Sequence, residues 1–285
     1  MSKAFGIVNF AGNHIQVDGL QAYRPVGALS FLGRYRTIDF PISNMSNSGI
    51  DNIEVYVRRK PRSLTEHLGT GRHYNINSKR GQLNIMYTEN NRIGDIYSTD
   101  VAAYIENMDC IERIHLPYVV IAPSYMVYTA DYSTFLSEHI ESGADISMMY
   151  HSVDNAKEAF LNCNTLNINK QKGVLSIEPN HGNAKNKNIS MDTYVMSTEL
   201  FINLVKKAHK TSSMYTFADI LNEECEELDI RAVSHRGYFA AICDFNSYYH
   251  ANMDLIDLKH ASDLFSPDWP IYTRTNDSCP TQYFE

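Results

Sequence analysis

Five consecutive apolar residues, 118–122 (YVVIA), set the tightest limit on what this chain can fold into. A strand with no polar face must be covered on both sides, which is the condition of a central strand between helical layers. The rest of the chain supplies such layers. Residues 5–10 form another short apolar run, and Leu83, Ile85 and Tyr87 alternate as a strand, as do residues 146–150. Helical patterns fall between them. Residues 61–68 are stopped by Gly69. Thr99 or Asp100 caps a helix with Ala102, Tyr104, Ile105 and Met108 on its apolar faces. Asp131 caps one containing Phe135, Leu136, His139 and Ile140, ended by Gly143. This alternation predicts an α/β fold in which residues 5–10, 50–57 and 118–122 share one mainly parallel sheet.

Residues 161–194 change character, being rich in Asn and Lys, with short strands expected at 165–168, 174–177 and 191–196. The NHGNAKNKN loop before the last of these reads as a mobile surface hairpin. Helices are expected at 198–208, 217–226 and 246–258. Beyond Phe265 come three prolines and the only tryptophan, Trp269, so residues 265–285 read as an extended tail packed by its aromatics, after a main domain over residues 1–264.

Lys and Arg number 25 against 33 Asp and Glu, a net charge of −8. That balance argues against nucleic acid or an anionic membrane as partner, since both select a basic face. No apolar run approaches the roughly 18 residues of a membrane span. The first ten residues lack the basic and apolar regions of a signal peptide, so a cytoplasmic protein is expected. The five cysteines, Cys110, Cys163, Cys225, Cys243 and Cys279, are odd in number and form no C-x-x-C, which reads as reduced thiols. The eleven histidines form no H-E-x-x-H, and no metal site is expected.

The most informative segment is residues 33–49, GRYRTIDFPISNMSNSG. Arg34 and Arg36 fall on one side of an extended stretch. They read either as an exposed pair or as ligands for an anion. Asp39 stands where a helix cap belongs, Pro41 suits a first helical turn, and Gly49 stops the helix. The strand IDNIEVYV follows.

The wording of this segment resembles GG(K/R)YR-(I/L)IDF-x-LSN-x-x-NSGI of the sugar-1-phosphate nucleotidyltransferases, most closely bacterial glucose-1-phosphate adenylyltransferase, or ADP-glucose pyrophosphorylase. IDF at residues 38–40, SN at 43–44, NSGI at 47–50, ISM at 189–191 and ANMDL at 251–255 extend the likeness over almost the whole chain. The resemblance implies a Rossmann-like nucleotidyltransferase fold with a mixed, mainly parallel sheet. It also implies a family reaction in which ATP and glucose 1-phosphate give ADP-glucose and pyrophosphate, using Mg²⁺.

The parts that reaction needs are altered here. The family's nucleotide loop reads GG-x-G-x-RL; this chain has FAGNHIQVDGL, where Gly12 matches one glycine while Asn13, His14 and Ile15 carry side chains that obstruct a triphosphate. RAKPA becomes AYRPVGA, with Arg24 in the lysine's place. LAGDHIYKMDY becomes IAPSYMVYTADY, with Ser124 at the first metal aspartate. The lysine of EKP is missing between Glu178 and Pro179. YWRDVGTLEAYWKANLDL becomes YFAAICDFNSYYHANMDL, with Ala240 and Ala241 in place of an arginine and the second metal aspartate, and Asp244 three residues on. Thr99, where the family has a Gly-Thr nucleobase loop, reads as a helix cap.

The set resembles the family's non-catalytic, GlgD-type regulatory branch, as do LFSPDWPIYT and SYYHANMDL. The resemblance therefore implies a regulatory subunit with no catalytic residue, metal or cofactor of its own. Its partner would be a catalytic subunit or another copy of itself, and a sugar-phosphate or nucleotide effector would bind near Arg24, Arg34 and Arg36. An active enzyme with unusual residues, or a stand-alone sugar-phosphate or nucleotide sensor, is the alternative. The family continues into a left-handed β-helix domain, toward which residues 265–285 would lead.

Overall fold

The computed structural model describes residues 3–76, 79, 81–88 and 97–275. The strands are β1 (Ala4–Asn9), β2 (Ser30–Phe31), β3 (Tyr35–Arg36), β4 (Asn52–Val57), β5 (Gln82–Tyr87), β6 (Tyr118–Pro123), β7 (Met126–Tyr128), β8 (Ile146–Val153), β9 (Asn164–Ile168), β10 (Val174–Pro179), β11 (Lys187–Ser197), β12 (Ile230–Ser234) and β13 (Phe239–Ala241). The helices are α1 (Asp39–Asn47), α2 (Arg62–Leu68), α3 (Asp100–Glu106), α4 (Met108–Glu112), α5 (Tyr132–Ser142), α6 (Thr198–Thr211), α7 (Phe217–Glu223), α8 (Phe245–Met253) and α9 (Leu258–Leu264).

The main sheet runs β10-β9-β11-β6-β1-β4-β5, with β8 beside β11 and β12 beside β8. The three segments expected to share a sheet do so as neighbours. β1 pairs in parallel with both β4 and β6, and β5 extends the parallel part beyond β4. β11 runs antiparallel to β6, β8 and β9.

The sheet separates two cores. On β6, Val120 and Ala122 face one core and Val119 and Ile121 the other; on β1, Ala4 and Val8 oppose Phe5 and Ile7 in the same way. This two-sided burial is what an unbroken apolar run demands. Residues of α1, α2, α5 and α8 fill the first core, and residues of α3, α4, α6 and α7 the second. α1 lies tightly on β1 because Gly6 has no side chain: a β-carbon there would meet Met45 Sδ at 2.4 Å.

Several sequence expectations need correction. Asp39 is the first residue of α1 and not its cap. The helix expected from Thr99 onward is α3 and α4, separated at Asn107. The one expected at 217–226 ends in a 3-10 turn, Glu224–Glu226, and that at 246–258 is α8 followed by the 3-10 turn Asp254–Ile256 and then α9, which Asp257 caps anew. The 180–188 loop is anchored at its base. Asn180 is buried, and its Nδ2 donates to the carbonyls of Ala156 and Phe160 at 2.8 and 3.0 Å.

The chain after α9 packs by its aromatics, as expected. Phe265 stacks on Tyr35, Trp269 Nε1 donates to Asn44 Oδ1 at 2.9 Å, and the Tyr272 amide donates to Ser43 Oγ at 2.9 Å. Residues 276–285 of the expected tail, Cys279 included, lie outside the described residues.

Candidate functional site

In a sheet of this kind ligands bind beyond the carboxyl ends of the parallel strands. Here those ends open on a cleft of about 440 Å³, lined among others by Gly12, Asn13, Arg24, Arg59, Lys60 and Ser124. The first loop, which leaves β1, covers part of it. A β-carbon on Gly12 would come within 2.6 Å of the His14 ring, so that imidazole occupies the space in front of the glycine. Ile15 and Val17 are buried in the same core as Ala241 and Cys243, and the Gln16 amide donates to the Cys243 carbonyl at 3.1 Å. The loop is thus folded down toward β13.

The end of β4 contributes cations. Arg58 donates to Asn13 Oδ1 and to the Ser98 carbonyl, the latter at 3.0 Å, and its guanidinium lies over the Phe10 ring at 5.5 Å. It joins the first loop to the segment before α3. Lys60 Nζ donates to the Gln21 carbonyl at 2.7 Å. Arg24, Arg58, Arg59 and Lys60 all line the cleft, with Asp18 the one carboxylate among the described residues that line it. The cleft is therefore cationic inside an acidic protein.

The first-loop residues Gly12 and Asn13 lie in this cleft, whereas Thr99 is nearly buried and caps α3, its Oγ1 accepting the Ala102 amide at 3.2 Å. Arg36 lies beside Ala28 and Ser30: its Nη1 donates to the Ala28 carbonyl at 3.1 Å and to Ser30 Oγ at 2.5 Å. Burial first, and then the charge of Arg24, hold its pKa down. Arg24 and Arg36 are thus electrostatic neighbours. Arg34 is the last residue of the turn between β2 and β3, its guanidinium 5.8 Å from the Tyr35 ring.

Among the described residues the Arg36 guanidinium forms no salt bridge with Asp39 or Asp18. It is the Arg36 amide that donates to Asp39 Oδ2, at 2.8 Å. Asp39 is fully buried and also accepts from Tyr74 Oη at 2.5 Å and meets His67 Nε2 at 2.6 Å.

Ser124 and Ala241 lie on neighbouring segments, Ser124 lining the cleft and Ala241 an adjoining cavity. Ser124 follows β6, with its amide bonded to the Asn9 carbonyl at 2.8 Å. Ala241 in β13 pairs with Met126 of β7, and the next amide, Ile242, bonds to the Tyr125 carbonyl at 2.8 Å. Both side chains are buried, and Gly27 packs on Ser124 so closely that a β-carbon there would lie 3.2 Å from Ser124 Cβ. A divalent magnesium ion seeks carboxylate oxygens. A neutral hydroxyl and a methyl group do not fit it, and among the described residues no three His, Cys, Asp or Glu side chains come together to hold a metal ion. Asp192, on β11, is bonded to the Tyr125 hydroxyl at 2.5 Å and to Ser190 Oγ at 3.1 Å. Asp244 caps α8, accepting the Ser247 amide at 2.7 Å.

Sequence reasoning missed Arg58, Arg59 and Lys60. The signal was present: three cations directly after an apolar strand, at the end where such sheets bind ligands.

The family described as Nucleotidyl transferase matches residues 16–257. A glucose-1-phosphate adenylyltransferase of Clostridioides difficile is 30% identical over 90% of this chain and 67% of its own length. The glycogen biosynthesis protein GlgD of Geobacillus stearothermophilus is 27% identical over 99% of this chain and 72% of its own length. In fold, the chain is similar to a Bacillus anthracis protein whose crystal structure is described as that of a glucose-1-phosphate thymidylyltransferase, with a TM-score of 0.71, 14% identity and coverage of 89% of this chain and 96% of that one. With a parallel sheet end that forms a cleft and a match running across it, this chain belongs to the nucleotidyl transferase family, in the group of glucose-1-phosphate adenylyltransferases and GlgD proteins of glycogen biosynthesis.

Proposed function

We propose that this chain is a catalytically inactive, regulatory subunit of glucose-1-phosphate adenylyltransferase, acting in the cytoplasm beside a catalytic subunit. The observation that carries the reading is the pair Ser124 and Ala241. Both stand where the resemblance places magnesium carboxylates, Ser124 in the cleft and Ala241 in β13, which pairs with β7 just after Ser124, and neither supplies a negative charge. Nucleotidyl transfer depends on stabilising charge that develops on phosphate oxygens. Losing both anchors of the ion, with His14 in front of the one remaining glycine, removes most of that stabilisation.

The cleft suits a regulatory anion. Guanidinium groups present paired donors to phosphate oxygens and stay charged at any physiological pH. Arg24 at the cleft and Arg36 beside it would bind a sugar phosphate or a nucleotide, with Arg59 and Lys60 adding charge from β4.

The test is co-expression with a catalytic subunit. The chain alone should form no ADP-glucose with Mg²⁺, ATP and glucose 1-phosphate, should co-purify with the catalytic subunit, and should change that subunit's response to sugar-phosphate effectors. Turnover by the chain alone at rates typical of enzymes, on the order of 1–1000 per second, would reverse the reading. The cationic cleft also favours a second reading, a sugar-phosphate or nucleotide sensor without a catalytic partner. Anion binding without co-purification would select it.

A further inference from the structure

Two buried thiols stand together outside the cleft. Cys163 lies just before β9 and Cys243 just after β13; they are 80 residues apart in sequence, and their Sγ atoms are 3.1 Å apart. Both backbones are fixed. The Cys163 carbonyl accepts the Asn180 amide at 2.8 Å and the Cys163 amide donates to Phe160 at 3.2 Å. The Cys243 amide bonds to Ser247 Oγ at 2.9 Å, and its carbonyl holds the Gln16 amide of the first loop. Cys243 also lines a second cavity, about 520 Å³, with Phe160, Ala241, Asp244 and His250. Cys163 is fully buried behind it.

We propose that Cys163 and Cys243 are a peroxide-sensitive dithiol that closes reversibly to an intramolecular disulfide, Cys243 being oxidised first from the cavity and Cys163 resolving it. A disulfide bond is about 2.05 Å long, so closure asks the two sulfurs to approach by only about 1 Å. Contact with Cys243 and burial both push the Cys163 thiol up, which keeps it protonated and makes it the slower first nucleophile.

The chemistry balances with one peroxide. Cys243 loses its proton and its thiolate attacks a peroxide oxygen. The O–O bond breaks, Cys243 becomes a sulfenic acid, and the departing hydroxide takes the proton to give water. The Cys163 sulfur then attacks the Cys243 sulfur, the S–O bond breaks, and the hydroxide leaves with the Cys163 proton as a second water. Two thiols are oxidised by two electrons and one peroxide is reduced to two waters. The bond ties the entry of β9 to the residue whose carbonyl anchors the first loop, so the oxidation state acts on the segment that covers the cleft. This inference stands whether or not the regulatory reading of the cleft holds.

The experiment uses the full chain, treated with an equimolar amount of hydrogen peroxide, alkylated under denaturing conditions and mapped by peptide mass. The expected product joins the Cys163 and Cys243 peptides, lighter than their sum by two hydrogens, and reverts with dithiothreitol. Cys163→Ala should leave Cys243 as a sulfenic acid that dimedone traps. If both peptides return as unlinked thiols while exposed Cys110 oxidises, or if Cys243 links to Cys110, Cys225 or Cys279 instead, the pair is not the sensor. A Cys163→Ala protein in which Cys243 takes no dimedone, beside a wild type that links, would overturn the assigned order.

Discussion

Ser124 and Ala241 are small side chains in a tightly packed place, and this limits what restoring charge there would do. Ser124→Asp with Ala241→Asp should not create an adenylyltransferase: we expect turnover to stay well under 1 per second, because His14 still stands before Gly12 and no lysine lies between Glu178 and Pro179. The double substitution should also lower the melting temperature, since two carboxylates would be buried in tightly packed places, one of them beneath Gly27. A thermal scan alongside the assay checks both expectations. Arg24→Ala and Arg36→Ala separate binding from folding. Arg24 makes the cleaner variant, because Arg36 also bonds to Ala28 and Ser30 and its loss should cost about 1–2 kcal/mol of stability. With a regulatory site in place, each substitution should weaken the effector's half-saturation in a co-expressed enzyme by about tenfold or more, the worth of one charged hydrogen bond. An unchanged dose–response curve would remove that arginine from the site.

At the scale of elements, the segment after α9 and α1 form one unit, joined through Trp269 and Asn44. Trp269→Phe keeps an aromatic ring, though a smaller one, and loses the donor. It should cost about 1 kcal/mol and lower the melting temperature by roughly 2–4 °C, as measured by calorimetry. The strands of the parallel part were legible in the sequence because buried strands are unbroken apolar runs; YVVIA could be little else. The breaks at Asn107 and Asp257 were not, because nothing local distinguishes a residue that ends one helix and starts another from an ordinary polar position. Asp39 was misread for a related reason. A carboxylate before a proline looks like a cap, and only the fold brings Tyr74 and His67, about 30 residues on, to bury it. The losses at Ser124, in the cleft, and at Ala241, in the neighbouring cavity, were legible, since these lie in recognisable words. The cleft's gains were signalled only by three cations after an apolar strand, and these reach the cleft once that strand lies beside β1.

For the whole molecule, stability carries two opposing dependences on pH. Glu54 is buried beside Tyr56, and burial raises its pKa to about 7. Its unfolded value lies near 4.5, so between these values the folded state keeps a proton that the unfolded state releases, and stability falls as pH rises. Asp100, raised by burial to about 6, acts in the same direction. His235 acts oppositely: burial lowers it from 6.5 to about 4, so its contribution is lost as pH falls through that window. Glu54→Gln should therefore be neutral near pH 4 and stabilising at pH 8, by on the order of 2–3 kcal/mol in urea unfolding. A difference that does not change with pH would contradict the burial of a charged Glu54.

The order of strands in the sheet also has a consequence for synthesis. β1, β4, β5 and β6 can assemble as soon as they leave the ribosome, but β6 stays an open edge until β11 is made, more than sixty residues later. At typical elongation rates that interval lasts roughly 3–13 s. During it the nascent chain displays YVVIA, an uncharged edge of the kind that pairs with other chains. A chain stopped before Lys187 should therefore aggregate when the full chain does not, which makes β11 the cover that translation supplies late.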